Sequence, residues 1–433
     1  MQLFGTSGIR ALFDESLVHL ALKVGLAVGG LYGNVVVGSD TRTSGDVMKY
    51  ALISGLLAAG SRCEDAGIVP TPTLALATGK FDAGVMITAS HNPPQYNGIK
   101  LLNPDGSAFN SNQQKQIEEI VLSDTHSVAS WDKIRRNGIC EGAVERHVER
   151  ILQDFPEELK LKVVVDCGCG AASEVTPYLL RRLGCEVEAI NCYPSGFFPR
   201  EVEPTESNLQ DLMRATREFG ADIGIAHDGD ADRMMVVDER GRFVPGDKLL
   251  VIFARALGAK EVVTTIDASM AAEEMGFSVR RTRVGDTAVS EELKNGGDFG
   301  GEPSGSWIFP GISLCPDGVY AAAKVVAIAS QQKLSELVDN IPNYYLIRGS
   351  ASSEGVAVSG LKSRLMAMEP SSASNIDGIK LNFTDGWLLV RASGTEPKIR
   401  LTAEAKSEAR AQQLYDSGVK VIKDCAESKE KTG

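Results

Sequence analysis

Short continuous apolar runs that end on a polar turn recur along this chain, and most lead into apolar residues at helical spacing. Val35–Val37 runs through Gly38 and Ser39 to Asp40 and a loop with Arg42. Leu161–Val165 runs to Asp166 and a glycine-rich turn at Gly168 and Gly170, and Val262–Ile266 runs to Asp267. Amphipathic spacing predicts helices over Leu17–Gly30, Met48–Ala59, Ser111–Leu122, Gly142–Leu152, Val175–Leu183, Asn208–Phe219 and Glu404–Ala426. Further strands are predicted near Ile68 and over Ala83–Ile87, Asp222–Ala226, Met234–Val237, Tyr344–Arg348 and Trp387–Arg391. Buried strands alternating with helices predict parallel α/β units. Three strand–Asp–loop–helix repeats, about 100 residues apart, fit three related α/β domains in tandem, or convergence on a motif common to any α/β protein. Ser123–Glu141 is weakly patterned and reads as a linker, and Asn340-Ile341-Pro342 opens a smaller last domain.

Composition narrows the function. The net charge of −12 argues against a nucleic-acid surface or an anionic membrane as partner. No apolar run reaches the ~18 residues of a membrane span, and no basic-then-apolar leader opens the chain, so the expected setting is cytoplasmic. Of the cysteines only Cys167 and Cys169 are closely spaced, with no second pair at zinc-site spacing, so they read as reduced and structural.

The chemistry concentrates in a few loops. Ala83–Ile87 breaks into a stretch dense in Asn, Pro and Gly, which places Ser90 on a stiff loop at the C-terminal end of a strand. Ligands bind there in open α/β sheets, and Ser90 beside His91 and Lys100 is placed to act as a nucleophile. A second loop, His227–Arg233, joins two apolar strands and carries Asp228, Asp230 and Asp232. Three carboxylates so close cannot all ionise without a counter-charge, and oxygen-only ligands favour Mg2+ or Ca2+ over zinc. Such a site asks for a phosphate oxygen as a further ligand. The opening turn Gly5–Arg10 can offer hydroxyls and the Arg10 guanidinium to an oxyanion. Arg391, Ser393, Gly394, Thr395 and Arg400 fall in one loop suited to holding a second anion.

Four loops in this order carry a resemblance: Thr88–Pro93, Asp228–Arg233, Gly301–Gly305 and Arg391–Pro397. Together they resemble the α-D-phosphohexomutase superfamily, and Gly5–Arg10 and Gly300–Trp307 are most similar to its archaeal phosphoglucosamine mutases. The resemblance implies an α/β architecture of four domains around a central cleft: three mixed α/β/α sandwiches (1–141, 142–239, 240–342) and a smaller C-terminal α+β domain (343–433). It implies an isomerase that converts glucosamine 6-phosphate and glucosamine 1-phosphate through a 1,6-bisphosphate. Phosphomannomutase or phosphoglucomutase activity is the near alternative, and a magnesium-dependent phosphatase the distant one. Ser90 would carry the phosphoryl group and complete a Mg2+ site with Asp228, Asp230 and Asp232. Lys100 would serve as acid/base, with a pKa lowered by burial, or electrostatically; Arg233 would bridge the metal loop to phospho-Ser90. Gly285, Asp286, Glu302 and Ser304 would contact the sugar, and the loop around Arg391 its other phosphate. Ser306 stands where many relatives have histidine, so no role for that histidine carries over. The implied partner is a small hexose or hexosamine phosphate, without nucleic acid or membrane, for a monomer or homodimer.

Overall fold

A computed structural model describes residues 3–5, 7–352, 358–392 and 398–430. It divides into two compact units, Met1–Lys260 with Gly285–Asp339, and Glu261–Val284 with Asn340–Gly433.

The first unit holds two sheets and a hairpin. The strands of the first sheet are β1 (Ile9–Leu12), β2 (Asn34–Ser39), β3 (Arg62–Ile68), β4 (Ala83–Ile87), β5 (Tyr96–Leu102) and β6 (Asn137–Ile139), in spatial order β1-β5-β4-β2-β3-β6. Val35, Val36, Val37, Val85 and Met86 are fully buried, as expected of strands covered on both faces. The helices Glu15–Leu31 and Gly45–Ala58 flank this sheet; Asp14 caps the first by accepting from Leu17 N at 3.0 Å.

Three elements here differ from the sequence reading. β5 emerges from the stretch read as a loop and pairs antiparallel with β4, placing Lys100 opposite Met86. Its Tyr-Asn-Gly start hides a strand whose remaining residues are buried. The helix Thr71–Thr78 escapes a pattern reading because it opens on Thr-Pro-Thr, although a proline in the first turn suits a helix start. The expected linker contains β6, an edge strand parallel to β3.

The second sheet comprises β7 (Lys162–Asp166), β8 (Glu186–Ile190), β9 (Ile223–His227) and β10 (Met234–Asp238), in order β10-β9-β7-β8, with only β10 antiparallel. The β9–β10 connection is the aspartate loop. In the next segment of chain, β11 (Glu261–Thr265) and β12 (Ser278–Thr282) form a parallel pair in the second unit. The strands β13 (Phe299–Glu302) and β14 (Ser306–Ile308) form an antiparallel pair in the first.

The second unit is built on an antiparallel sheet of β15 (Tyr345–Ser352), β16 (Ser372–Ser374), β17 (Ile379–Phe383), β18 (Gly386–Ala392) and β19 (Lys398–Ala405). The helix Glu408–Glu430 supplies Leu414 and Ile422 to its core. It starts later than expected because β19 continues through Ala405. Ile266 and Met270 pack with Trp387 and Leu389, so the 261–284 stretch belongs to this unit's core. Among the described residues, no helix is long and apolar enough to cross a membrane.

Lys380 on β17 is buried in this unit, donating from Nζ to Ile266 O at 2.7 Å and lying 4.1 Å from the Trp387 ring centre. Burial, then the nearby Arg281, pushes its pKa down to about 7. The unfolded chain, with an ordinary lysine, binds more protons between pH 7 and about 10, so this group's contribution to stability rises with pH across that window. Urea titrations of the wild type and Lys380→Met should show a stability gap that narrows by on the order of 2–4 kcal/mol from pH 7 to 10. A gap that stays constant with pH would refute it.

Candidate active site

Ser90 stands in the first turn beyond β4, with its backbone in the left-handed region at φ 50°. Non-glycine residues held there are uncommon, and such strain collects at functional sites. The backbone is braced locally: Ser90 N donates to Thr88 Oγ1 at 2.8 Å, and Thr88 Oγ1 donates to Asp40 Oδ2 at 2.7 Å.

The aspartate loop closes directly on this turn. A Cβ at Gly229 would meet Ser90 O at 2.7 Å, so only glycine lets the two backbones approach. Thr71 N donates to Asp230 O, and Ala171 N to Gly229 O, which ties the loop to both sheets' connections. As a result Ser90 Oγ donates to Asp228 Oδ2 at 2.7 Å, although the two residues are 138 positions apart.

Asp228, Asp230 and Asp232 are all buried, and each offers an oxygen within 4.8 Å of the others. Lys100, reaching in from β5, donates from Nζ to Asp230 Oδ2 at 2.7 Å and also to Asp232 Oδ2. Thr71 Oγ1 donates to Asp230 Oδ2 at 2.5 Å. Asp230 Oδ1 and Asp232 Oδ1 are buried without a hydrogen-bond partner. One ammonium cannot neutralise three ionised carboxylates, and two orphaned oxygens point at the remedy. These residues fit a hard divalent cation.

The electrostatics follow from the same crowding. Burial, then Asp232 and Asp230, pushes Asp228 well above the usual carboxylate range, and burial and Asp230 raise Asp232. Burial opposes ionisation of Asp230 too, but Lys100 and Thr71 hold it below its ordinary value. Burial works against the Lys100 ammonium, yet Asp230 and Asp232 outweigh it and raise the lysine. The lowered pKa expected for Lys100 is therefore corrected: its carboxylate partners win over burial. His91 has Nδ1 3.4 Å from Ser90 Oγ and stays neutral, pushed down to about 2 by burial, Arg233 and Arg10.

The remaining residues divide into those near this centre and those elsewhere. Arg10 Nη1 donates to Asn92 Oδ1 at 3.0 Å, on the Ser90 turn, while its Nε is buried without a partner. Arg233 gives its backbone N–H to Asp228 Oδ1, but its guanidinium pairs with Glu203 at 2.6 Å and not with Ser90. Arg233 also bridges to Ser306, and Trp307 Nε1 donates to Met234 O at 2.8 Å, so the third loop is anchored on the aspartate loop. Glu302 Oε1 accepts from Gly285 N at 2.9 Å, Asp286 Oδ1 accepts from Ser7 Oγ at 2.6 Å, and Ser304 Oγ is buried without a partner.

In the second unit, β18 and β19 pair Arg391 with Arg400, and Arg391 Nη1 donates to Asp377 Oδ2 at 2.7 Å. Ser393, Gly394 and Thr395 lie outside the described residues. Supporting residues that sequence reasoning passes over include Asp40, Arg42, Thr71 and Glu203. Arg42 falls two residues after a strand-end aspartate, the one signal that marks it.

Family models described as phosphoglucomutase/phosphomannomutase α/β/α domains I, II and III and C-terminal domain match residues 1–127, 145–241, 245–345 and 355–420 in succession. The chain belongs to the phosphoglucomutase/phosphomannomutase family. This membership makes it an enzyme of the mutase class and accounts for three α/β/α domains followed by a distinct C-terminal one. Among family relatives, it is 47% identical to a probable phosphoglucosamine mutase of Methanocella arvoryzae, covering 99% of both chains. It is 41% identical to a phosphoglucosamine mutase of Methanococcus aeolicus, over 98% of this chain and 99% of that one. A crystal structure of a phosphoglucomutase/phosphomannomutase family protein from Burkholderia thailandensis superposes with a TM-score of 0.86 at 28% identity, covering 98% and 97%.

Proposed function

We propose that this chain interconverts glucosamine 6-phosphate and glucosamine 1-phosphate, using a phosphoryl group carried on Ser90 and a sugar 1,6-bisphosphate that forms and reacts without leaving. The observation that supports this most is the contact of Ser90 Oγ with a buried aspartate triplet. The sugar assignment draws on full-length relatives bearing the phosphoglucosamine mutase name.

Asp228, Asp230 and Asp232, with a phosphate oxygen on Ser90, would hold Mg2+. When bound, the ion supplies positive charge that offsets the phosphoserine and the carboxylates. In the forward half-reaction, a sugar hydroxyl oxygen forms a new bond to phosphorus as the Ser90 Oγ–P bond breaks. The sugar hydroxyl gives up one proton and Ser90 regains one, so the protons balance. Asp228 Oδ2 is the ready acceptor for the restored serine O–H. The return half-reaction delivers the other phosphate of the bisphosphate to the same Oγ. Phosphoryl transfer of this kind depends on positioning and charge more than on covalent help. Lys100 Nζ, paired here with Asp230 and Asp232, is assigned an electrostatic role beside the transferring group. Glu302 and Ser304 are assigned to the sugar hydroxyls, and Arg391, Arg400 and the 393–395 segment to the non-reacting phosphate. Such a reaction on a small sugar phosphate suits a cytoplasmic enzyme.

Turnover should be compared on glucosamine 6-phosphate, glucose 1-phosphate and mannose 1-phosphate. The expected result is a kcat/KM at least ~10-fold higher for glucosamine 6-phosphate, about what one well-placed polar contact provides. Higher efficiency on glucose or mannose phosphate would reassign the substrate. Net release of inorganic phosphate at the interconversion rate would replace the mutase with a phosphatase.

A further inference from the structure

We propose that Arg42 is a positioning residue for the reaction: it fixes the backbone of the Ser90 turn in the conformation from which the phosphoryl group is passed. The proposal rests on the phosphoserine reading above and goes beyond it, since the N–H donors of Arg42 go to neither Oγ nor the aspartate triplet.

An arginine has five N–H donors in a rigid planar fork. At Arg42 all five are used, and the side chain is wholly buried. Nε donates to Asp40 Oδ2 at 3.0 Å. Nη1 donates to Pro93 O at 2.7 Å and Tyr96 O at 2.9 Å, and Nη2 to Ser90 O at 2.9 Å and Asn92 O at 2.7 Å. Four carbonyls of one seven-residue turn thus converge on a single guanidinium. Irregular backbone has no ladder to satisfy its carbonyls, and here one side chain takes four of the turn's seven.

The convergence also explains how Ser90 keeps its left-handed backbone. Its carbonyl is held by Arg42 and its N–H by Thr88, and both of those side chains are held in turn by Asp40. Ser90 is therefore gripped on both sides of its Cα by one buried carboxylate–guanidinium pair. Phe198 covers the guanidinium, 5.3 Å from its ring centre. Lysine could not substitute, because its donors spread from a single nitrogen and cannot reach four carbonyls at once. Loosening the turn would leave Ser90 present but misplaced, and a displacement of about 1 Å at a reacting atom can cost ~100-fold in rate.

The test compares the wild type with Arg42→Lys and the milder Thr88→Val, each phosphorylated from glucose 1,6-bisphosphate. Arg42→Lys should lower kcat ~100-fold and Thr88→Val ~10-fold, each with KM within about threefold of wild type. The 31P resonance of phospho-Ser90, single in the wild type, should broaden or split in both variants as the turn samples more than one conformation. A merely structural role would reduce the folded fraction and leave the resonance of the folded protein unchanged. The proposal is overturned by wild-type kcat in Arg42→Lys, by a loss of kcat that matches loss of folded protein, or by an effect confined to KM. Should Arg42→Lys not fold, Thr88→Val decides by the same readouts. Turnover surviving in Ser90→Ala would instead remove the phosphoserine reading, and this proposal with it.

Discussion

Replacing Ser90 by alanine is expected to abolish interconversion, with kcat falling at least ~10^4-fold, while sugar-phosphate binding stays measurable by calorimetry. The size follows from the role: without Oγ there is no atom to accept or donate the phosphoryl group, and losses of a nucleophile in other enzymes reach this scale. The substitution removes one hydroxyl whose donated bond goes to Asp228, so the fold has little reason to change. Intact mass gives a second readout, because the wild type should gain one phosphate from a sugar 1,6-bisphosphate and the variant none. Activity retained at even a tenth of the wild-type rate would end the phosphoserine mechanism.

The second large effect concerns the aspartate triplet. Asp228→Asn should lower kcat by ~10^3-fold and weaken Mg2+ binding by at least ~10-fold, yet stabilise the metal-free protein by on the order of 1–2 kcal/mol. Both effects have one cause. Asp228 sits buried beside two other carboxylates, and burial with this repulsion raises its pKa, so its charge is costly until a cation arrives. An amide keeps the acceptor for Arg233 N and removes the charge. Urea denaturation in a chelator, set against the same titration in Mg2+, separates the two. The variant should be the more stable in chelator and gain less from the metal. An Asp228→Asn protein that is less stable in chelator and gains as much from Mg2+ would show that the triplet is not a cation site.

How much of the site is legible in the chain depends on how local each signal is. The aspartate loop stands out because alternate carboxylates between apolar strands are costly to bury unless a cation joins them. The structure does bring that loop onto Ser90. Lys100 can be located from the sequence but its protonation cannot, since the outcome depends on which side chains face it and not on its own burial alone. The Arg233 guanidinium pairs with Glu203, thirty residues upstream, a partner that no local pattern announces. Arg42 gives almost no signal, because its role exists only once the Ser90 turn folds back over it. The helix Thr71–Thr78 is hidden by its turn-forming opening residues, and β5 by an Asn-Gly near its start.

The second compact unit is assembled from two separated lengths of chain, residues 261–284 and 340–433. Ile266 and Met270 from the first length are packed with Trp387 and Leu389 from the second, and Glu404 accepts hydrogen bonds from both Met270 N and Trp387 Nε1. An engineer who transplanted residues 340–433 alone would therefore leave behind Ile266 and Met270, which pack on Trp387 and Leu389. Such a graft arrives with the tryptophan less covered and a buried glutamate short of the donor that Met270 N supplies.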